Sequence, residues 1–198
     1  MNQDYNTVTD ILKYVQMNLM TENCQIKEVA KFARISAEQG VLGETIITTM
    51  KSGLEETTNT VKADENGNTD WVVTNPDGEK YIVNNSVFQK KYEIDLQNPN
   101  VYKPKGGPVL AMQLNENIAF LAPWGESMKI NQGGFLILSG TSDIYGIQES
   151  EFNNTYANTE KNPKTALQEA LNLMGVNNRS NASEGLVLPD GFQRNIKL

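Results

Sequence analysis

The sequence predicts an α+β fold, mostly β: two tandem small β-sheet or barrel-like units, each with a short Ser-capped helix, flanked by N- and C-terminal helices. Three observations predict it. A strand–turn–strand–helix motif recurs at a constant offset, helical apolar spacing occurs near both ends, and breaker-rich stretches separate the blocks.

The N-terminal segment, 1–25, is read as one helix and its approaches. Val8, Ile11, Leu12, Val15 and Leu19 fall on one face of a helix over about residues 7–20, with Asn6 or Thr7 as its cap. That face is assigned to the chain's own sheet.

Residues 26–95 form the first β-unit. The runs 29–35 and 44–50 are short and rich in β-formers, and Lys51-Ser-Gly53 is a turn into a strand over 54–61. Trp71–Thr74 and Tyr81–Val83 flank Asn75-Pro-Asp-Gly78, where Pro sets φ and Gly accepts a positive φ, so a hairpin is predicted.

Residues 109–158 repeat the pattern. Phe135–Leu138 and Ile144–Ile147 flank Ser139–Asp143. The run 81–92 aligns without a gap on 145–156, an offset of 64 (145 − 81, and 156 − 92). Tyr81/Tyr145, Ser86/Ser150, Phe88/Phe152 and Tyr92/Tyr156 are identical pairs, and Trp71, Val72 and Val73 fall on Phe135, Leu136 and Ile137. In each copy the serine is expected to cap a helical turn, Ser86 making a capping box with Gln89. The aromatics four residues apart then share a face. Upstream, Ile46–Met50 pairs with Ile118–Ala122, and Val109–Gln113 resembles Phe32–Ser36.

Residues 96–108, with Asn98-Pro-Asn100 and Lys103-Pro-Lys-Gly-Gly-Pro108, read as the linker. The segment 159–175 is the C-terminal helix: Asn162-Pro163 starts it, Ala166, Leu167, Ala170, Leu171 and Met174 form its stripe, and Gly175 ends it. A polar tail, 176–198, follows.

Composition narrows the function. The net charge is −7, which repels phosphate backbones, so nucleic acid is not an expected partner. Histidine is absent and Cys24 is the single cysteine, which removes imidazole chemistry, intrachain disulfides and the usual zinc sites. No run approaches a membrane span and no signal peptide is read, so a cytoplasmic location (host cell or virion) and no membrane partner are expected. Neither a cofactor nor a metal is expected. Asp64–Asp70 resembles a calcium loop superficially, but Asn75 stands where the bidentate Glu belongs.

Positions shared by both copies are explained by the fold, so single-copy features are the candidates for function. Ala122-Pro-Trp-Gly-Glu126 leads them. Trp124 could stack on a ring and Glu126 accept a hydrogen bond, with Tyr145 beside them in a ligand site. The simpler reading is a tight turn whose Trp124 folds back on the core. Lys103–Pro108 lacks the strand–loop–helix setting of a phosphate loop. Glu55, Glu56, Asp64 and Glu65 read as solvated surface rather than a catalytic pair, and no catalytic residue is assigned.

The run Trp71-Val-Val-Thr-Asn-Pro-Asp-Gly-Glu-Lys-Tyr-Ile-Val, continued by Phe88 and Tyr92, resembles the small PGDYG-like β-modules of bacterial and phage proteins. Ala122-Pro-Trp-Gly-Glu126 and Gly133-Gly-Phe-Leu136 look like the second copy's version, so the resemblance covers about residues 30–157. Asn68-Thr-Asp-Trp71 stands where the family has Pro-Gly-Asp-Tyr. The resemblance implies a compact β-module and supplies no catalytic residues.

The expectation is therefore a non-enzymatic interaction module, phage- or mobile-element-encoded, binding a protein partner, itself or a small ligand. A virion or assembly component is the first alternative. An enzyme using carboxylate or lysine chemistry on a small polar substrate is the second.

Overall fold

Helix α1 (Val8–Leu19) begins where a threonine and an aspartate cap each other. The Asp10 amide donates to Thr7 Oγ1 (3.2 Å) and the Thr7 amide donates to the Asp10 carboxylate (2.8 Å). Ile11, Tyr14, Val15 and Leu19 are its buried face. At the other end of the chain, Asn162 caps α4 (Pro163–Leu173) by accepting from the Lys164 amide (2.9 Å). Pro163 needs no partner for a missing N–H, and Gly175 leaves the helix at φ +70°. Both helices match the sequence expectation. The structure, a computed structural model, describes residues 5–49, 55–76, 78–125 and 127–176. The expected turn at Lys51–Gly53 and all of the expected tail beyond Val176 lie outside them.

The strands in chain order are β1 (Ile26–Lys31), β2 (Ile35–Gln39), β3 (Thr45–Thr49), β4 (Glu55–Thr60), β5 (Trp71–Thr74), β6 (Lys80–Val83), β7 (Tyr92–Ile94) and β8 (Val101–Pro104). They continue as β9 (Val109–Gln113), β10 (Ile118–Leu121), β11 (Ser127–Ile130), β12 (Phe135–Gly140), β13 (Asp143–Ile147) and β14 (Tyr156–Asn158). Helix α2 (Asn85–Lys91) precedes β7, and α3 (Glu149–Thr155) precedes β14. The fold is α+β and mostly β: two five-stranded antiparallel sheets, ordered β13-β12-β9-β1-β14 and β6-β5-β2-β8-β7, with the hairpins β3–β4 and β10–β11.

The register of the two large sheets follows one rule. Trp71 opposes Val83 and Val73 opposes Tyr81, while Phe135 opposes Ile147 and Ile137 opposes Tyr145, each pair 64 residues on. Gln39 opposes Trp71 as Gln113 opposes Phe135. This places Val109–Gln113 on Ile35–Gln39, three residues away from the Phe32–Ser36 match that the sequence suggested. Val109–Met112 and Phe135–Leu138 are unbroken apolar runs, so local similarity alone does not choose between registers.

Four sequence expectations are corrected. The run 29–35 is not one strand: β1 ends at Lys31 and β2 starts at Ile35. Ile26–Val29, assigned above to the first β-unit, pairs instead with β9 of the second half. Val101–Pro104, assigned to the linker, forms β8 between β2 and β7. Ser86 and Ser150 do not cap helices; each is the second residue of its own helix, in α2 and α3. The cap of α2 is Asn84, whose side chain accepts from the Ser86 amide (3.0 Å) and hydroxyl (2.8 Å).

The chain divides into two compact units. Unit I is Met1–Val29, Val109–Ser150 and Asn158–Leu198; unit II is Ala30–Pro108 and Glu151–Ala157. Unit I has a mainly aliphatic core, in which Ile11 and Val15 of α1 and Ala166 and Ala170 of α4 meet Ile118, Ile130 and Leu136. Unit II has an aromatic core. Trp71 stacks on Phe88 (centroids 4.2 Å apart, 8° between planes), and Phe88 stacks on Tyr92 at 5.1 Å. Phe88 and Tyr92 do share a face, as their spacing predicted, and Phe152 and Tyr156 stack likewise at 5.3 Å.

Candidate functional site

The tip of the β10–β11 hairpin in unit I is Ala122-Pro-Trp-Gly125. The Gly125 amide donates to the Ala122 carbonyl (2.8 Å), and Gly125 sits at φ +88°, a backbone region that glycine enters without a Cβ penalty. The turn is tight, as expected. Trp124 on it is 43% exposed, and Ala122 beside it is buried. Glu126 lies outside the described residues. Tyr145, half-buried on β13, opposes Ile137 of β12. Trp124 and Tyr145 thus lie in unit I, one at the hairpin tip and the other on β13.

A polar cluster in unit II escaped the sequence reading. Lys31, at the end of β1, donates to the hydroxyls of Tyr81 (3.0 Å) and Tyr92 (2.8 Å), and its ammonium lies 5.6 and 5.3 Å from their ring centroids. The Tyr81 hydroxyl reaches Asn75 Oδ1 at 3.4 Å. Asn75 Nδ2 in turn donates to Glu79 (2.9 Å) and to Glu151 of α3 (2.6 Å), itself only 4% exposed. Burial, then the neighbouring Tyr92, holds the Tyr81 hydroxyl well above the usual tyrosine value. The hydroxyl therefore keeps its proton at neutral pH. These hydrogen bonds tie β1, β6, β7, Asn75, Glu79 and α3 together. Tyr81 and Tyr92 were legible as repeat positions; Lys31 carries no motif, and only long-range pairing delivers it there.

Other charged groups are held by specific partners. Glu28 accepts from Lys161 and from the Thr159 hydroxyl (2.8 Å), which keep its carboxyl below the usual range. Lys161 also bonds Glu169 (2.8 Å) and is held above the ordinary lysine value by both carboxylates, Glu169 first. Asp64 accepts from the amides of Asn66 and Asn68 (2.9 Å each) and from the side chains of Asn68 and Asn85, which lower its pKa. The loop that resembled a calcium site therefore folds around its own carboxylate, with Gly67 at φ +82° closing it. Among the described residues no three His, Cys, Asp or Glu side chains group as a metal site, and no helix is long and apolar enough to cross a membrane. Burial pushes the Cys24 thiol up to about 11, so it is a poor nucleophile at neutral pH.

No family model, curated protein or solved structure matches the chain.

Proposed function

We propose that the chain is a non-enzymatic interaction module that recognises a protein partner through the β10–β11 hairpin tip. The observation that carries this reading is Trp124, 43% exposed on a turn fixed by Gly125 at the end of a hairpin whose base is buried. A tryptophan side chain presents a large, amphipathic contact area on few rotatable bonds, and such anchors dominate interface energetics. A rigid turn lowers the ordering cost of using it.

The architecture proposed with it is a tandem repeat in sequence, each copy a small sheet followed by a short helix, α2 in the first and α3 in the second. The common register at an offset of 64 supports that reading. The Trp71–Val83 and Phe88–Tyr92 pattern supports a place among the PGDYG-like β-modules of bacterial and phage proteins. The acidic charge and the lone, neutral thiol fit a reducing, cytoplasmic setting.

The test is capture from the native host with the wild type and with Trp124→Ala, alongside light scattering of each. The reading expects a defined partner with the wild type, lost with Trp124→Ala, at equal thermal stability. Equal capture by both proteins would refute it. Concentration-dependent oligomers abolished by Trp124→Ala would make the partner a second copy.

A further inference from the structure

Unit I contains a cleft of about 280 Å³ with an unusual wall. Six carboxamide side chains line it: Asn18 from the last turn of α1, Asn23 and Gln25 from the α1–β1 connection, Gln113 of β9, Asn115 of the β9–β10 turn and Gln132 of the β11–β12 turn. Among the described residues no charged side chain lines it, and Met112 and Leu114 supply apolar wall. Three of the amides are oriented by the fold. Asn18 Nδ2 donates to the Tyr14 carbonyl (2.9 Å), Gln113 Nε2 donates to the Gly133 carbonyl (3.1 Å), and Asn115 Oδ1 accepts from the Tyr14 hydroxyl (3.2 Å). The side chains of Asn23, Gln25 and Gln132 make no hydrogen bond to protein among the described residues.

We propose that this cleft is a binding site for one uncharged, polyhydroxylated ring, of the class of a monosaccharide or cyclitol. Each carboxamide offers a donor and an acceptor side by side, and a hydroxyl is likewise both donor and acceptor. Vicinal hydroxyls therefore match a carboxamide bidentately, whichever way each proton turns. An ionic ligand would lose its hydration without gaining an opposite charge here, so the wall selects against it. Lys27, which lines the adjoining cleft, is engaged over the Phe135 ring at 4.8 Å. The volume admits one six-membered ring and lies at the lower end of small-molecule sites.

This inference is independent of the Trp124 reading, because the cleft is walled by other elements. The chain's one cysteine, Cys24, lines the cleft and reports on it. The experiment follows N-ethylmaleimide modification of Cys24 in the full chain with glucose, galactose, mannose, N-acetylglucosamine or myo-inositol, and separately with inorganic phosphate. Amide NMR shifts at Gln25, Gln113, Asn115 and Gly133 are recorded with the same probes. At about ten times its Kd a bound ring slows modification about tenfold by mass action. Such protection, with shifts confined to the cleft, is expected from at least one ring and not from phosphate. It is lost when Asn23→Leu and Gln132→Leu are combined, two exposed changes that leave the fold intact, and it persists in Trp124→Ala. The proposal is overturned if no ring moves either readout, if phosphate protects as well as a ring, or if the double variant is protected equally.

Discussion

Glu28 shows how a single side chain links pH to stability. Its carboxyl is held below the ordinary value of 4.5 by Lys161 and Thr159, so the folded state binds its proton less readily than the unfolded chain. The stabilisation is complete above that ordinary value and fades as pH falls through the lower folded one. Glu28→Gln is therefore expected to lower Tm at pH 7, with the gap to the wild type closing in acid; thermal melts across pH check it, and a constant gap contradicts it. Gly134 is a packing constraint of another kind. A Cβ there would lie 2.6 Å from Ile130 Cγ2 and 2.9 Å from the Ile147 carbonyl oxygen, and backbone cannot step aside. Gly134→Ala should cost about 1–3 kcal/mol, read from denaturant unfolding. Lys31→Met takes the shared donor from the Tyr81 and Tyr92 hydroxyls and should cost about 1–3 kcal/mol by the same measurement.

Elements differ in how much of their cause is local. Helices α1 and α4 were legible because everything that starts and stops them lies within a few residues: Thr7 with Asp10, Asn162 before Pro163, Gly175 at the end. Asn84 was missed for a chemical reason. Ser86 is as good a cap by type, but the Asn84 side chain accepts from both the amide and the hydroxyl of Ser86, which places the serine inside the helix. Asn84→Ala should then destabilise unit II by about 1 kcal/mol, whereas Ser86→Ala leaves the amide cap in place and costs less. Urea unfolding of both variants decides between the two caps. Strand β8 was hidden because Val101-Tyr-Lys-Pro104 is four residues among breakers, and what makes it a strand is a ladder to Ile35 and Ser36. The same limit applies to function: the turn that carries Trp124 was legible, its exposure was not, and the carboxamide cleft draws on three separate stretches of chain.

At the scale of the whole molecule, the chain closes its two sheets in different ways. Beside β2, the fourth place is filled by β8, which comes later in sequence; beside β9, the equivalent place is filled by β1, which comes from the far end of the chain. The backbone bonds correspond. The Lys105 amide donates to Lys91 (3.0 Å) as the Phe32 amide donates to Thr155 (3.0 Å), and Asp95 donates to Val101 (2.8 Å) as Thr159 donates to Glu28 (3.0 Å). Gly40 bonds Asp70 (2.9 Å) as Leu114 bonds Gly134 (2.8 Å). After β14 the chain has α4 where a counterpart of β8 would fall, so β1 is the strand left to complete that sheet.

Native-state hydrogen exchange at these six amides measures that arrangement directly. Slow exchange at Phe32, Thr159 and Leu114, matching that at Lys105, Asp95 and Gly40, is the predicted result. Phe32 and Thr159 exchanging as freely as an unstructured peptide, while Lys105 and Asp95 stay protected, would contradict it.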